Sequence, residues 1–297
     1  MADAPYSAHE ILVAPARRYP QLWRLVVGLF LAAVIAIILS RTVQTILVSV
    51  FPGLARQPEA FVTGNAPAAL LILLSSFGFV SVGVLVAAKV MQHRSPLGVI
   101  GPIPLAIRQF WQVSRWLLGL GLVLFALPPY DMGVPLVTNL EPMLWLSLLP
   151  FSLLAVLLQT SAEEILFRGY VQQALAARFR SKLVWMGVPA LLFALGHYLP
   201  GEAGDNAVLI AIWSGVFGLV TADLTARAGT LGPAIAVHLF NNITALLIVS
   251  LPDNLSGLSL YTTPFSMADT GTLRAWLVVD FAVMATSWLA ARVAIGR

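Results

Sequence analysis

Ser161-Ala162-Glu163-Glu164-Ile165-Leu166-Phe167-Arg168 follows closely on an apolar run at residues 144–158. Two adjacent carboxylates and a guanidinium are costly there. Even on lenient insertion scales, a charge at the centre of a spanning helix costs about 2.5–3.5 kcal/mol, and such groups are functional candidates by default. The rest of the chain supports a membrane setting. Of 297 residues, 59% are hydrophobic and only 10% charged, and the mean hydropathy is +0.88. A soluble domain carries about 25% charged residues. The fold class is therefore an all-α polytopic membrane protein, with the lipid bilayer as its first partner. Cysteine is absent, which excludes disulfides, a thiol nucleophile and thiolate metal ligands. The net charge of +4 fits basic residues on cytoplasmic loops, and no nucleic acid is expected as a partner.

Spans of about 20 apolar residues predict eight helices, at residues 25–50, 67–91, 113–127, 143–178, 183–199, 207–224, 231–251 and 273–295. Phe51-Pro52-Gly53, Pro128-Pro129 and Pro200-Gly201 supply stops, and Pro150 is expected to bend the fourth helix. Pro96, Gly98, Gly101, Pro102 and Pro104 predict an irregular basic loop before the third. Residues 1–24 are expected to form a cytosolic or interfacial arm, anchored by Arg17-Arg18-Tyr19 and Trp23-Arg24, and residues 25–297 a single helical bundle. The first apolar run is long enough to be a retained helix rather than a signal peptide.

Charge placement tests the layout. With the N-terminus inside, the cytoplasmic segments hold 14 of the 17 Lys and Arg and only three acids, Asp3, Glu10 and Asp223. The opposite loops hold one basic residue, Arg56, against seven acids. Lys and Arg set orientation, so both termini are expected in the cytoplasm.

Three polar places interrupt the apolar helices. Neighbours on a helix point about 100° apart, whereas residues four apart share a face. Glu164 lies four before Arg168, the favourable order for an ion pair, so these two are expected to brace the helix. Glu163 has no evident local partner and is expected to act on a water. His197, in Phe193-Ala194-Leu195-Gly196-His197, lies 17 residues after Arg180, and Glu163 lies 17 before it. In an antiparallel hairpin turning near Arg180, equal offsets put the two at one depth. His238 and Asn242 are four apart and share a face. Taken singly, each of these histidines has a plainer reading: a hydrogen bond between helices is common in membrane bundles. Asp223 and Asp280 are expected to bond locally, and Trp23, Trp116, Trp145, Trp185, Tyr198 and Trp276 to form interface belts.

A carboxylate, two imidazoles and a carboxamide suit hydrolysis. Glu163 and His197 can take a proton from an attacking water. His238 and Asn242 can donate to an oxyanion, where one preorganised donor is worth about 2.7–4 kcal/mol. Glu163, His197 and His238 also match a His₂Glu metal site, so a single divalent metal such as zinc is an open alternative to no cofactor.

Glu-Glu-x-x-x-Arg (Glu163, Glu164, Arg168), Phe-x-x-x-His (Phe193, His197) and His-x-x-x-Asn (His238, Asn242), in that order on successive helices, resemble the CPBP family of intramembrane proteases. That family includes the CAAX prenyl endopeptidases and Abi-like bacterial proteins. The stretch from Arg227-Ala228-Gly229 to Val237-His238 is similar to the family's lead-in to its last motif, and the likeness covers about residues 140–250. It implies an eight-helix bundle with a site open to the cytosolic side. Glu163 and His197 would be its water activators, His238 and Asn242 its oxyanion donors, and Glu164, Arg168 and Phe193 supporting residues. It also implies a membrane-associated peptide or protein substrate and a bacterial inner-membrane location. Asn242 is a poor metal ligand, which favours a metal-free mechanism. Two readings compete from other classes: a non-catalytic bacteriocin-immunity or scaffolding protein, and a transporter using Glu163 and the histidines as a proton relay. The two similar halves that would support a transporter are not seen.

Overall fold

The computed structural model describes residues 5–53, 63–127 and 133–297. Within them the chain forms α1 (Leu22–Val50), α2 (Pro67–Gln92), α3 (Ile103–Ala126), α4 (Pro142–Arg178), α5 (Lys182–Gly196), α6 (Ala207–Ala228), α7 (Gly232–Ile248) and α8 (Thr272–Ala294). By length and composition α1, α2, α4, α8 and α6 with its lead-in turn can cross a membrane, and α5 and α7 are shorter apolar helices. The protein is an all-α polytopic membrane protein. A few extended residues form one small sheet: β1 (Val137–Thr138) pairs antiparallel with β3 (Tyr261–Thr262), which pairs parallel with β2 (Val249–Ser250).

The bundle is apolar on the outside as well as the inside. Phe30, Phe125, Phe151, Leu183 and Val278 are exposed, as side chains facing hydrocarbon would be. Polar side chains gather inside, where helices can satisfy one another. α7 packs against α3, α4, α6 and α8, and α2 lies between α1 and α4. Small residues permit the closest crossings. A Cβ on Gly232 would stand 2.1 Å from the Ala106 carbonyl oxygen of α3, and one on Gly28 would stand 1.9 Å from the Tyr170 hydroxyl of α4.

Several expectations need correction. α3 begins at Ile103, ten residues before the predicted start, so Arg108 and Arg115 are helical. Proline breaks a helix interior but suits a first turn, where its missing N–H has no partner to lose. Pro102 at the N-cap and Pro104 in the first turn therefore start this helix. Pro150 sits inside α4 and does not end it. α5 stops at Gly196 rather than 199, leaving His197 as its C-cap residue. α7 ends at Ile248 and the chain turns extended at Val249, short of the predicted 251. Pro128-Pro129, Arg56 and Asp3 lie outside the described residues.

The segment before α1 packs onto the bundle. Leu12, Val13 and Ala16 are buried, and His9 stacks on Trp185 with ring centres 4.8 Å apart. Trp185 is thus a core residue, not an interface anchor. Burial pushes the His9 imidazole down to about 4, with the Glu10 carboxylate opposing and Arg17 adding to the effect. Asp223 reaches well beyond local bonding. It accepts from the Arg227 guanidinium at 2.8 and 2.9 Å, the Tyr6 hydroxyl at 2.7 Å and the Trp288 indole at 2.9 Å. It ties the N-terminal segment to α6 and α8. Arg94, buried after α2, donates to Gln173 and to the Leu12 carbonyl.

Candidate functional site

α4 carries the two glutamates at the point where its hydrogen bonding changes. Regular α-helix runs Pro142–Glu164, and a π-helical stretch covers Ile165–Gln172 before the helix resumes. π segments are rare and recur at functional sites. α7 changes in the same way two residues after Asn242, with a π stretch at Thr244–Ile248.

Glu164 and Arg168 are both fully buried and ion-paired at 3.1 Å, as their spacing predicts. Arg168 belongs to the interior. Its second terminal nitrogen donates to the Gly218 carbonyl at 3.2 Å, and its guanidinium lies 4.9 Å from the Phe193 ring centre. Glycine at 218 lets α6 come close, since a Cβ there would stand 2.9 Å from the Ala190 Cα.

His238 stands between the two carboxylates. Its Nδ1 donates to Glu164 Oε1 at 2.8 Å, and its Nε2 faces Glu163 Oε2 at 3.5 Å. A carboxylate only accepts, so the Nδ1–H goes to Glu164. The His238 Nε2 is the ring nitrogen left facing Glu163 Oε2.

Glu163 does have a local partner. Gln159, one turn earlier, donates to Glu163 Oε1 at 2.7 Å and accepts from the Asn242 side-chain amide at 2.8 Å. Asn241 in turn donates to Asn242 Oδ1 at 3.1 Å. Gln159 was missed, although its spacing of four from Glu163 is visible in the sequence. Asn242 is therefore joined to α4 through Gln159. It makes no hydrogen bond with His238, the residue whose face it shares.

His197 sits at the end of α5, half-buried, with backbone φ −107° and ψ 5°. Its Nδ1 donates to the Phe193 carbonyl at 2.8 Å. Because a carbonyl only accepts, this bond fixes the proton on Nδ1 and leaves Nε2 as a base when the ring is neutral. Phe193 links the site. Its ring stacks on His197 at 4.4 Å and meets the edge of His238 at 6.0 Å and of Phe167 at 5.3 Å. Among the described residues no hydrogen bond or ion pair joins Glu163 directly to His197.

The structure thus brings Glu163, Glu164, Arg168, His238, Gln159 and Asn242 into one bonded network, and places His197 beside it through Phe193. Among the described residues no three His, Asp or Glu side chains converge on a point that could hold a metal ion. Both Nδ1 atoms are committed to acceptors, which leaves Nε2 as the remaining ring nitrogen of His197 and of His238, an arrangement that metal-binding histidines share.

Comparison with known proteins places the likeness on the same helices. Residues 145–244 match the family described as type II CAAX prenyl endopeptidase Rce1-like. YyaK of Bacillus subtilis (strain 168), described as uncharacterized, is 29% identical over 119 residues, covering 40% of this chain and 39% of that protein. The match thus spans about two fifths of that relative's length. No solved structure matches. The matched segment runs from the first turns of α4 to the turn beyond Asn242, and so contains every residue of the network. It is over that segment that the chain resembles the CAAX prenyl endopeptidase family.

Proposed function

We propose that the protein is an intramembrane endopeptidase that hydrolyses a peptide bond of a membrane-associated peptide or protein. The observation that carries this reading is the unequal fate of the two glutamates. The Glu164 side chain is 0% exposed and its Oε1 is taken by both Arg168 and His238, whereas that of Glu163 is 15% exposed. Glu163 is thus the more accessible of the two carboxylates. Glu163 and the free Nε2 of His197 take a proton from a water as its oxygen adds to the carbonyl carbon. The oxyanion that forms is met by His238 and by the unused Asn242 side-chain N–H, donors already held in a protein frame. The carbon–nitrogen bond then breaks, and the proton held by the base passes to the leaving amine. Glu164 and Arg168 hold His238 in place. No step uses a metal. Substrates with a prenylated CAAX terminus are the first class to test, because the matched family is described by that activity.

The test uses the full chain in nanodiscs with a fluorogenic farnesylated CAAX peptide, alongside mass spectrometry of membrane proteins from cells with and without the gene. Wild type is expected to generate cleaved termini and Glu163→Gln none. Equal processing by Glu163→Gln would favour a non-catalytic immunity or scaffolding role. One tightly bound zinc per chain, with cleavage lost to a chelator, would overturn the metal-free mechanism.

A further inference from the structure

We infer that Gln159 is a positioning residue, holding Glu163 and Asn242 in register across the α4–α7 interface. The inference rests on the hydrolase reading above, but its geometry stands apart from it. Three carboxamides run in one direction: Asn241 Nδ2 to Asn242 Oδ1, Asn242 Nδ2 to Gln159 Oε1, and Gln159 Nε2 to Glu163 Oε1. The chain ends on a carboxylate, which can only accept, so Gln159 must present its NH₂ to Glu163. Its oxygen must then face Asn242. Flipping any one amide would set oxygen against oxygen or NH₂ against NH₂. The carboxylate therefore fixes the orientation of every amide behind it.

Two consequences bear on the chemistry. Asn242 is left with one uncommitted N–H on a nitrogen whose direction is set, which suits an oxyanion donor better than a freely rotating amide. Glu163 is pinned through Oε1, which keeps Oε2 toward His238 at 3.5 Å. Bonds aligned head to tail also polarise one another in a low-dielectric setting. Burying a glutamine that is 6% exposed in an apolar bundle is costly unless both ends are bonded. Here both ends go to residues proposed to act on substrate. A residue serving only as glue between helices needs no such direction.

The test is a mutant cycle on the full chain in nanodiscs. Gln159→Met keeps the volume and removes both bonds. It is expected to lower kcat by about 10²-fold with KM within about threefold of wild type. Asn242→Ala is expected to act likewise, and the double variant to be no slower than the slower single one, because both break one chain. Additive losses, or a wild-type rate for Gln159→Met while Glu163→Gln is inactive, would overturn the positioning role alone. Activity retained in Glu163→Gln would instead overturn the hydrolase reading. A second measurement needs no substrate. In protein labelled with ¹⁵N at Asn and Gln, Gln159→Met should move the Asn242 side-chain amide signals, and Glu163→Gln should move those of Gln159. Unmoved signals would reject the inference whatever the activity.

Discussion

Glu164 Oε1 lies 2.8 Å from His238 Nδ1, joining α4 to α7 across 74 residues of sequence. The same oxygen accepts from Arg168 at 3.1 Å. One carboxylate oxygen thus fixes a cation on its own helix and an imidazole on another. Removing one partner of a buried pair leaves an uncompensated charge, which typically costs about 3–5 kcal/mol. Glu164→Ala is expected to lower unfolding stability by that amount, read as a thermal midpoint in nanodiscs. Adding Arg168→Met should recover part of the loss, because it removes the orphaned guanidinium. A double variant as unstable as the sum of the two singles would reject this account of the brace.

His197 tests chemistry with little interference from stability. It sits at a helix end and is only half-buried. His197→Ala is expected to reduce turnover by about 10²–10⁴-fold, the range for loss of a general base, with the thermal midpoint within a few degrees of wild type. A comparable drop in folded protein would assign it to structure instead.

His9 makes stability depend on pH. Its imidazole is held down to about 4 in the folded state against an ordinary value of 6.5. The unfolded chain therefore binds the extra proton between these values and the native chain does not, so stability falls as pH falls. The loss begins below about 6.5, reaches on the order of 3 kcal/mol and levels off below about 4. The hydrogen bond from Arg17 lowers the Glu10 carboxyl, and the readout that isolates the imidazole is the difference between wild type and His9→Phe. The variant should show the shallower dependence between pH 6.5 and 5, and equal slopes would refute it.

Gly232 sets how closely α7 approaches α3. Its neighbours there are backbone atoms, the Ala106 carbonyl oxygen at 2.1 Å and the Phe110 nitrogen at 3.1 Å from a built Cβ. Backbone cannot rotate aside, so Gly232→Ala must push the helices apart. Overpacking of this kind costs about 1–3 kcal/mol, visible in the thermal midpoint. Because α7 carries His238, activity should fall as well, and Gly119→Ala, where nothing lies within 4 Å, serves as the control expected to change neither.

Much of this was already legible in the chain. Hydropathy and proline placement located the long helices of the described residues and most of their boundaries, because a membrane demands long apolar segments whatever they pack against, although only five of them are long and apolar enough to cross a membrane. Spacing within one helix was equally readable: Glu164 with Arg168 was predicted from an interval of four, and Gln159 with Glu163 follows from the same interval. What lay beyond the sequence was the rotation and depth of one helix against another. A helix apolar on all sides carries little signal for which face meets which neighbour. The sequence therefore left open that His238 would stand between both glutamates, that His197 would turn back onto the Phe193 carbonyl, and that Asn242 would reach α4 through Gln159. Those pairings are decided by the close crossings at Gly218 and Gly232 and by which buried polar groups can satisfy one another once water is gone.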